Sequence, residues 1–377
     1  MKLRWLLPGV LIGWQIGAGA EETNAPVSAA EIESLRQQVQ ALERKVGELE
    51  RRQGGDTGSN GVQQLQELDQ KIRIVQRQRE LDQENADAAA KSVSRLSIGA
   101  DGFKASSADT NFVLVIHGLV QVDSRTFPDD GGIRGNDGFI LRRARPIIQG
   151  TVFRNFDFVF VPDFGGNTVQ VQDAFVNYRY RPELQLQAGK FKSPVGLEAL
   201  QPDPAAAFNE RSLVTDLVPN RDLGFELHGD LFGGAASYAI GIFNGAPDYS
   251  GTTTNSDFED DKALAARIFL QPWKASDVAA LQGLGFGVGG SWEVVDGATN
   301  TVGTGLTPGF TTDGQEKFFS YSSGVYAHGT HWRVSPQACY YYGPIGLMGE
   351  YVISDQRVSK GSANTDLQNV AWEVTAL

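Results

Sequence analysis

Residues 189–245 read GKFKSPVGLEALQPDPAAAFNERSLVTDLVPNRDLGFELHGDLFGGAASYAIGIFNG. Two alternating, strand-like segments flank a connection of about thirty residues that is rich in charge and proline, and connections longer than about 12–15 residues are usually functional or disordered. A strand, a long loop and a returning strand describe a barrel wall whose loop can fold into the lumen.

From Phe112 onward the whole chain keeps this period of two. Leu223, Phe225, Leu227 and Leu231 alternate with Glu226, His228 and Asp230. Leu264, Ala266, Ile268 and Leu270 alternate with Arg267 and Gln271, and Phe156, Phe158 and Phe160 with Asp157, Val159 and Val161. Trp332, Val334, Ala338, Tyr340 and Tyr342 alternate with His331, Arg333 and Gln337. One apolar and one polar face fits outer-membrane strands, and equally any half-buried antiparallel sheet.

The connections discriminate better. Short turns fall at Arg154-Asn155, Arg181-Pro182-Glu183, Gly233-Gly234-Ala235 and Gly343-Pro344. Long connections fall at 124–138, 193–221, 245–262 and 296–330, with one short exception near Gly165-Gly166-Asn167. Bacterial barrels are wired this way, with short periplasmic turns and long outer loops. Tyr178, Tyr180, Trp273, Trp292 and Tyr351 lie near strand ends, where interface girdles would place them. The reading predicts about twelve strands from Phe112 to Leu377. The aromatic-rich segment Phe318 to Tyr326 is a candidate for one more.

The N-terminal third differs. Residues 1–20 carry Lys2 and Arg4, then an apolar run, then Ala18-Gly19-Ala20, which reads as a signal peptide with its cleavage site. The alternative, a membrane anchor, falls short of the ~20 apolar residues a span needs. Ile32, Leu35, Val39, Leu42, Val46 and Leu49 form a heptad seam, broken by the glycines of 54–61 and resumed through Val62, Leu65, Leu68, Ile72 and Val75. Residues 21–91 are therefore expected to form a periplasmic coiled-coil or helical stalk; the other reading is an amphipathic helix packed on its own barrel or free. Residues 92–111 read as an irregular polar linker, and 112–377 as the barrel.

The single Cys339 excludes an intramolecular disulfide. Net charge is −12, from 33 basic and 45 acidic residues, which argues against nucleic acid as a partner. A nucleophile with a positioned base is not in view: His117, His228, His328 and His331 lie in no hydrolase or metalloprotease context. No enzyme, cofactor or metal is expected. His328-x-x-His331 and the acidic run Asp257 to Asp261 read by default as ordinary loop residues.

Several phrases in order resemble the phosphate-selective porin O and P family. They are LRRARP (141–146), GTV (150–152), PDFGG (162–166), QDAFVNY (172–178), AGKFKSPVGLE (188–198), NERSLVTDLVPNRDLG (209–224), HGDLFGG (228–234), YAIGIFNG (238–245) and YYYGPIGLMGEYV (340–352). The resemblance spans about 112–377. It implies a 16-stranded, trimeric outer-membrane channel for phosphate or polyphosphate, with the third loop folded inward. AWEVTAL (371–377) resembles a mid-barrel strand of the family and lacks a closing aromatic residue, so a barrel incomplete at its C-terminus is expected. An unclosed barrel would leave unpaired edges in lipid.

Passage of anions needs cations along a narrow path. The candidates are Arg142, Arg143, Arg145, Lys190, Lys192, Arg211, Arg221, Arg267 and Arg333. Arg142 and Arg143 are neighbours, so both face the lumen only near a bulge or outside the bilayer. Lys190 and Lys192 share parity with Leu184 and Leu186, so a register change at Gly189 is needed to bring them inward. The alternative for any of these is a rim position paired with lipid or a carboxylate. From Phe112 on there are 19 basic and 29 acidic residues, and the loop itself carries Glu198, Asp203, Glu210, Asp216 and Asp222 against Arg211 and Arg221. A weakly selective general porin and, in another class, a structural or adhesive envelope protein therefore stand as alternatives. Lipopolysaccharide and outer-membrane lipid are the expected surroundings.

Overall fold

The structure is a computed structural model that describes residues 59–100, 102–127, 137–166, 169–248, 260–297, 309–311 and 317–376, with residues 44 and 306. The expected signal peptide and the first heptad seam lie outside the described residues, apart from helical Arg44. Contacts divide the chain into two units, 1–86 and 87–377. Helix α1 (Ser59–Ser92) carries the weaker second seam, begins within the last glycine-break residues, and is laced by side-chain pairs such as Lys71–Glu67 and Arg73–Asp69. Among the described residues no helix is long and apolar enough to cross a membrane.

The second unit is almost entirely antiparallel sheet. In chain order its strands are β1 (Arg95–Gly99), β2 (Gly102–Ser106), β3 (Val113–Arg125), β4 (Gly138–Val152), β5 (Phe156–Asp163), β6 (Gln170–Arg181) and β7 (Leu184–Lys192). A short helix, α2 (Leu197–Leu200), precedes β8 (Arg221–Leu231), β9 (Ala236–Phe243) and β10 (Ala263–Leu270). Then come α3 (Ala279–Gln282), β11 (Leu284–Asp296), β12 (Gly309–Thr311), β13 (Lys317–Ser320), β14 (Tyr326–Tyr342), β15 (Ile345–Lys360) and β16 (Ala363–Ala376).

Fourteen of these strands pair in chain order into one sheet, and β12 and β13 form a separate hairpin. The twelve from β3 to β16 are the strands the alternation predicts. The sheet is not closed: among the described residues β1 and β16 are its two edges. Residues 92–111, read as an irregular linker, instead hold the β1–β2 hairpin, which extends the sheet by pairing β2 with β3. Five-residue strands with mixed parity are too short to stand out against polar neighbours, and Gly102 supplies the positive φ (93°) their turn requires. The candidate strand near Phe318 exists as β13, off the main sheet. The connection 271–283 is also longer than the other links at its end of the sheet, a feature the composition gave no reason to expect.

The two faces of this sheet are reversed relative to a water-soluble protein. Val120, Phe225 and Trp372 are 73%, 65% and 69% exposed, whereas Arg333, Glu350 and His331 are 3%, 4% and 0% exposed. A sheet in water buries its valines and displays its arginines. Here the apolar rows face outward, with Tyr180, Trp292 and Tyr351 among them, and the charged rows face inward, which is the arrangement a hydrocarbon surround stabilises.

Candidate functional site

The polar face is covered by the connection between β7 and β8, residues 193–220. Its apolar residues Val195, Val214, Leu217 and Val218 pack with Phe191, Phe243, Ala263, Ala265 and Val352 into the larger buried apolar cluster. At roughly 25 cal/mol per Å2 of apolar surface, burial of these side chains is what holds a loop of this length down. Gly289 on β11 permits the close approach: a Cβ there would sit 2.2 Å from the Val195 carbonyl oxygen.

Polar contacts then fix the loop at both sides. On one side the Glu350 carboxylate accepts from the backbone N–H groups of Leu197 (3.0 Å) and Glu198 (3.1 Å), and from the Ser335 hydroxyl (2.6 Å). Gln337 donates to the Val195 carbonyl and accepts from Arg267 Nε at 3.0 Å. On the other side Glu210 takes Arg142 in a bidentate pair (2.6 and 3.0 Å), Arg143 at 3.1 Å and Arg125 at 3.4 Å. Asp203 meets Arg145 and takes Arg211 at 2.6 Å. Burial alone would raise the Asp203 pKa, but Arg211, Arg145, Arg143 and Lys192 outweigh it and hold that carboxyl well below the usual range.

The predicted cations are distributed as follows. Arg142 and Arg143 both reach Glu210 because β4 carries a bulge there: Arg143 pairs with Gln121 and Leu141 with Val122, leaving Arg142 extra. Arg145 lies between Asp163 (2.5 Å) and Asp203. Lys192 donates to the Gln201 carbonyl at 2.8 Å, so it faces the loop. The ladders on both sides of Gly189 keep their register; the departure from strand geometry is the φ of 130° at Gly189 itself. Lys190 is 2% exposed, near Arg221, Asp173 and Asp222. Arg211 bridges within the loop to the Glu198 and Gln201 carbonyls. Arg221 forms a bidentate pair with Asp173 (3.0 and 3.1 Å).

Arg267 lies over the Phe269 ring at 4.7 Å. Arg333 serves a different place. It is buried with Asp248 (2.7 Å), Glu293 (3.3 Å) and the Ala246 carbonyl (2.8 Å), and His331 lies 3.0 Å from Glu293. This cluster pins the start of the connection after β9. Although burial opposes it, Arg333 and His331 lower the Asp248 pKa to about 2. His328 pairs instead with exposed Asp296, and among the described residues no group of three or more His, Cys, Asp or Glu is arranged so that it could hold a metal ion. Asp257 to Glu259 lie outside the described residues.

Arg125 and Glu350 are missing from the sequence reading. Arg125 could have been found, since it continues the inward row Gln121, Asp123. Glu350 could not, because its partners lie 153 residues away.

An inverted sheet of this wiring, with a long inward-packed loop, is accompanied by a direct match: a profile of the phosphate-selective porin O and P family aligns with residues 115–374. The chain belongs to the phosphate-selective porin O and P family. The match covers β4 to β15 in full and most of β3 and β16. A comparison with curated proteins finds no match. The porin's place is therefore the bacterial outer membrane, and its family is one of channels for phosphate and related anions rather than of enzymes. In this porin the loop 193–220 meets β3 to β5 through five arginines (Arg125, Arg142, Arg143, Arg145 and Arg211) and four carboxylates (Asp123, Asp163, Asp203 and Glu210), with Lys192 at the end of β7 facing the same loop.

Proposed function

We propose that the chain forms a diffusion channel for small anions, phosphate or polyphosphate among them, narrowed where loop 193–220 crosses the polar face. The observation that carries this is the surplus of guanidinium groups, five arginines against four carboxylates, where the loop meets β3 to β5. It occurs in a chain whose net charge is −12. A local field opposite in sign to the net charge is what concentrates anions at a narrow point. Lys192 lies beside this cluster, held by a carbonyl rather than by a carboxylate.

The functional barrel is closed, since free strand edges are not tolerated in hydrocarbon; the sixteen strands implied by the family would accomplish that. Residues 21–91, helix α1 among them, extend into the periplasm, and three copies assemble through the barrels. Lipopolysaccharide and lipid surround the apolar face.

A weakly selective general porin is the second reading, and one observation favours it. Arg142, Arg143, Arg145, Arg211, Arg221 and Arg333 are all matched by carboxylates, which leaves few cations to select strongly. Replacing Lys190 and Lys192 with glutamate in the full-length protein separates the readings. A fall in the anion-to-cation permeability ratio supports selection at the loop; an unchanged ratio removes both lysines from the path.

A further inference from the structure

A cavity of about 540 Å3 lies between loop 193–220 and the inner face of β3 to β10. Its lining divides in two. Leu119, Ile147, Val159, Val161 and Phe175 form an apolar wall across β3 to β6, on the face that is otherwise polar. The lining also carries Arg145 beside Leu119, Lys192 and Arg221 at the ends of β7 and β8, and Arg267 on β10.

The acids of the cavity are mostly engaged. Asp173 is taken by Arg221, and Asp203 by Arg145 and Arg211, while Asp230 is exposed at the end of β8. Among the described residues neither Lys192 nor Arg267 has a carboxylate ion pair: Lys192 is held by the Gln201 carbonyl and Arg267 by the Gln337 side chain. Among the described residues Glu226 and Asp230 are the lining acids without a salt bridge; of the two Glu226 is buried, and its Oε2 has no hydrogen-bond partner.

We propose that this cavity is a binding site for organic anions with one charged head and an apolar body, the head received by Lys192 or, further along the cavity, by Arg267, and the body by the Leu119–Ile147–Val159 wall. This rests on the channel reading above and narrows its substrate class. A path for inorganic phosphate alone gains nothing from five apolar side chains, because a fully hydrated ion must shed water beside them without replacement. An aryl or alkyl phosphate, carboxylate or sulfonate loses apolar surface to that wall while its head meets a cation of the lining. The volume falls within the range of small-molecule sites, roughly 300–1,000 Å3.

The experiment compares two ions with the same head. Chloride current through the full-length protein in planar bilayers is titrated with phenyl phosphate and with inorganic phosphate. Phenyl phosphate is expected to block at roughly tenfold lower concentration, the phenyl ring burying about 55 Å2 of its surface against the wall. Equal block by the two overturns the proposal. Val159→Thr, which keeps shape and removes apolarity, should raise the phenyl phosphate concentration needed several-fold and leave inorganic phosphate unchanged. Glu226→Gln should tighten both.

Cys339 gives a readout that needs no current. It lies two residues beyond Gln337 on the same strand face and is half-buried. Phenyl phosphate should slow its alkylation in detergent-solubilised protein more than inorganic phosphate does; identical rates count against the site. A protein that conducts nothing, yet whose Cys339 is protected by phenyl phosphate, would overturn the channel reading and leave the site standing.

Discussion

Glu210→Gln perturbs the loop where its charge matters most. In the native protein this one carboxylate accepts from Arg125, Arg142 and Arg143, and Arg142 and Arg143 reach it from adjacent positions on a bulge. The amide keeps the shape and removes one of the four acids that face five arginines, so the local surplus rises from one charge to two. At about 6 Å in a water-filled path one unit charge is worth about 0.7 kcal/mol, or roughly threefold in relative permeability. The cost in stability is modest. Arg142 remains 30% exposed, Arg125 keeps Asp123, and Arg143 keeps Gln121 and the Asn209 carbonyl, so about 1–2 kcal/mol is expected. The assay is the reversal potential of single channels in a chloride gradient, alongside thermal unfolding of the same preparation. A roughly threefold rise in anion preference is expected. An unchanged or lower preference in a folded protein would refute the idea that this cluster sets the field along the path.

Gly289→Ala puts a Cβ 2.2 Å from the Val195 carbonyl oxygen, so the loop must lift off β11; conductance should rise and loop 193–220 should become more sensitive to protease, whereas native conductance would mean the loop does not narrow the path. Asp203 has a folded-state pKa depressed below the ordinary 3.8, so its contribution to the loop is complete above that value and is lost only as pH falls through the lower one. The difference in channel noise between the native protein and Asp203→Asn should therefore be the same at pH 7 and pH 5 and vanish only in strong acid; a difference already lost at pH 5 would contradict the assignment. Arg333→Met leaves Asp248 and Glu293 buried without their cation, costing about 3–5 kcal/mol in thermal unfolding while leaving ion selectivity unchanged. A selectivity change without destabilisation would put Arg333 on the path instead.

The twelve strands were legible because period-two alternation persists over whole strands, as in Phe225, Leu227 and their polar neighbours Glu226 and His228. The bulge at Arg142 was legible as a requirement, since two adjacent arginines cannot both face inward on a regular strand. The five-residue strands β1 and β2 were not, because so short a run carries too few periods. Ion pairing was beyond the sequence altogether: Glu210 meets Arg142 across 68 residues, and Arg333 meets Asp248 across 85. Composition exposed the loop's five acids but could not tell which of them would neutralise the arginines read as an anion path. That matching converts a ladder of candidate cations into a largely balanced cluster, with Lys192 and Arg267 as the cations left without carboxylate partners among the described residues.

The central claim is that the narrowed path beneath loop 193–220 favours anions although the chain as a whole is acidic. Reversal potentials of the full-length protein in planar bilayers under a potassium chloride gradient test it directly. The account predicts a sign reporting chloride as the more permeant ion, with a further decrease in chloride current when phosphate is added. A sign reporting potassium preference would contradict it, and the absence of conductance would contradict the channel itself.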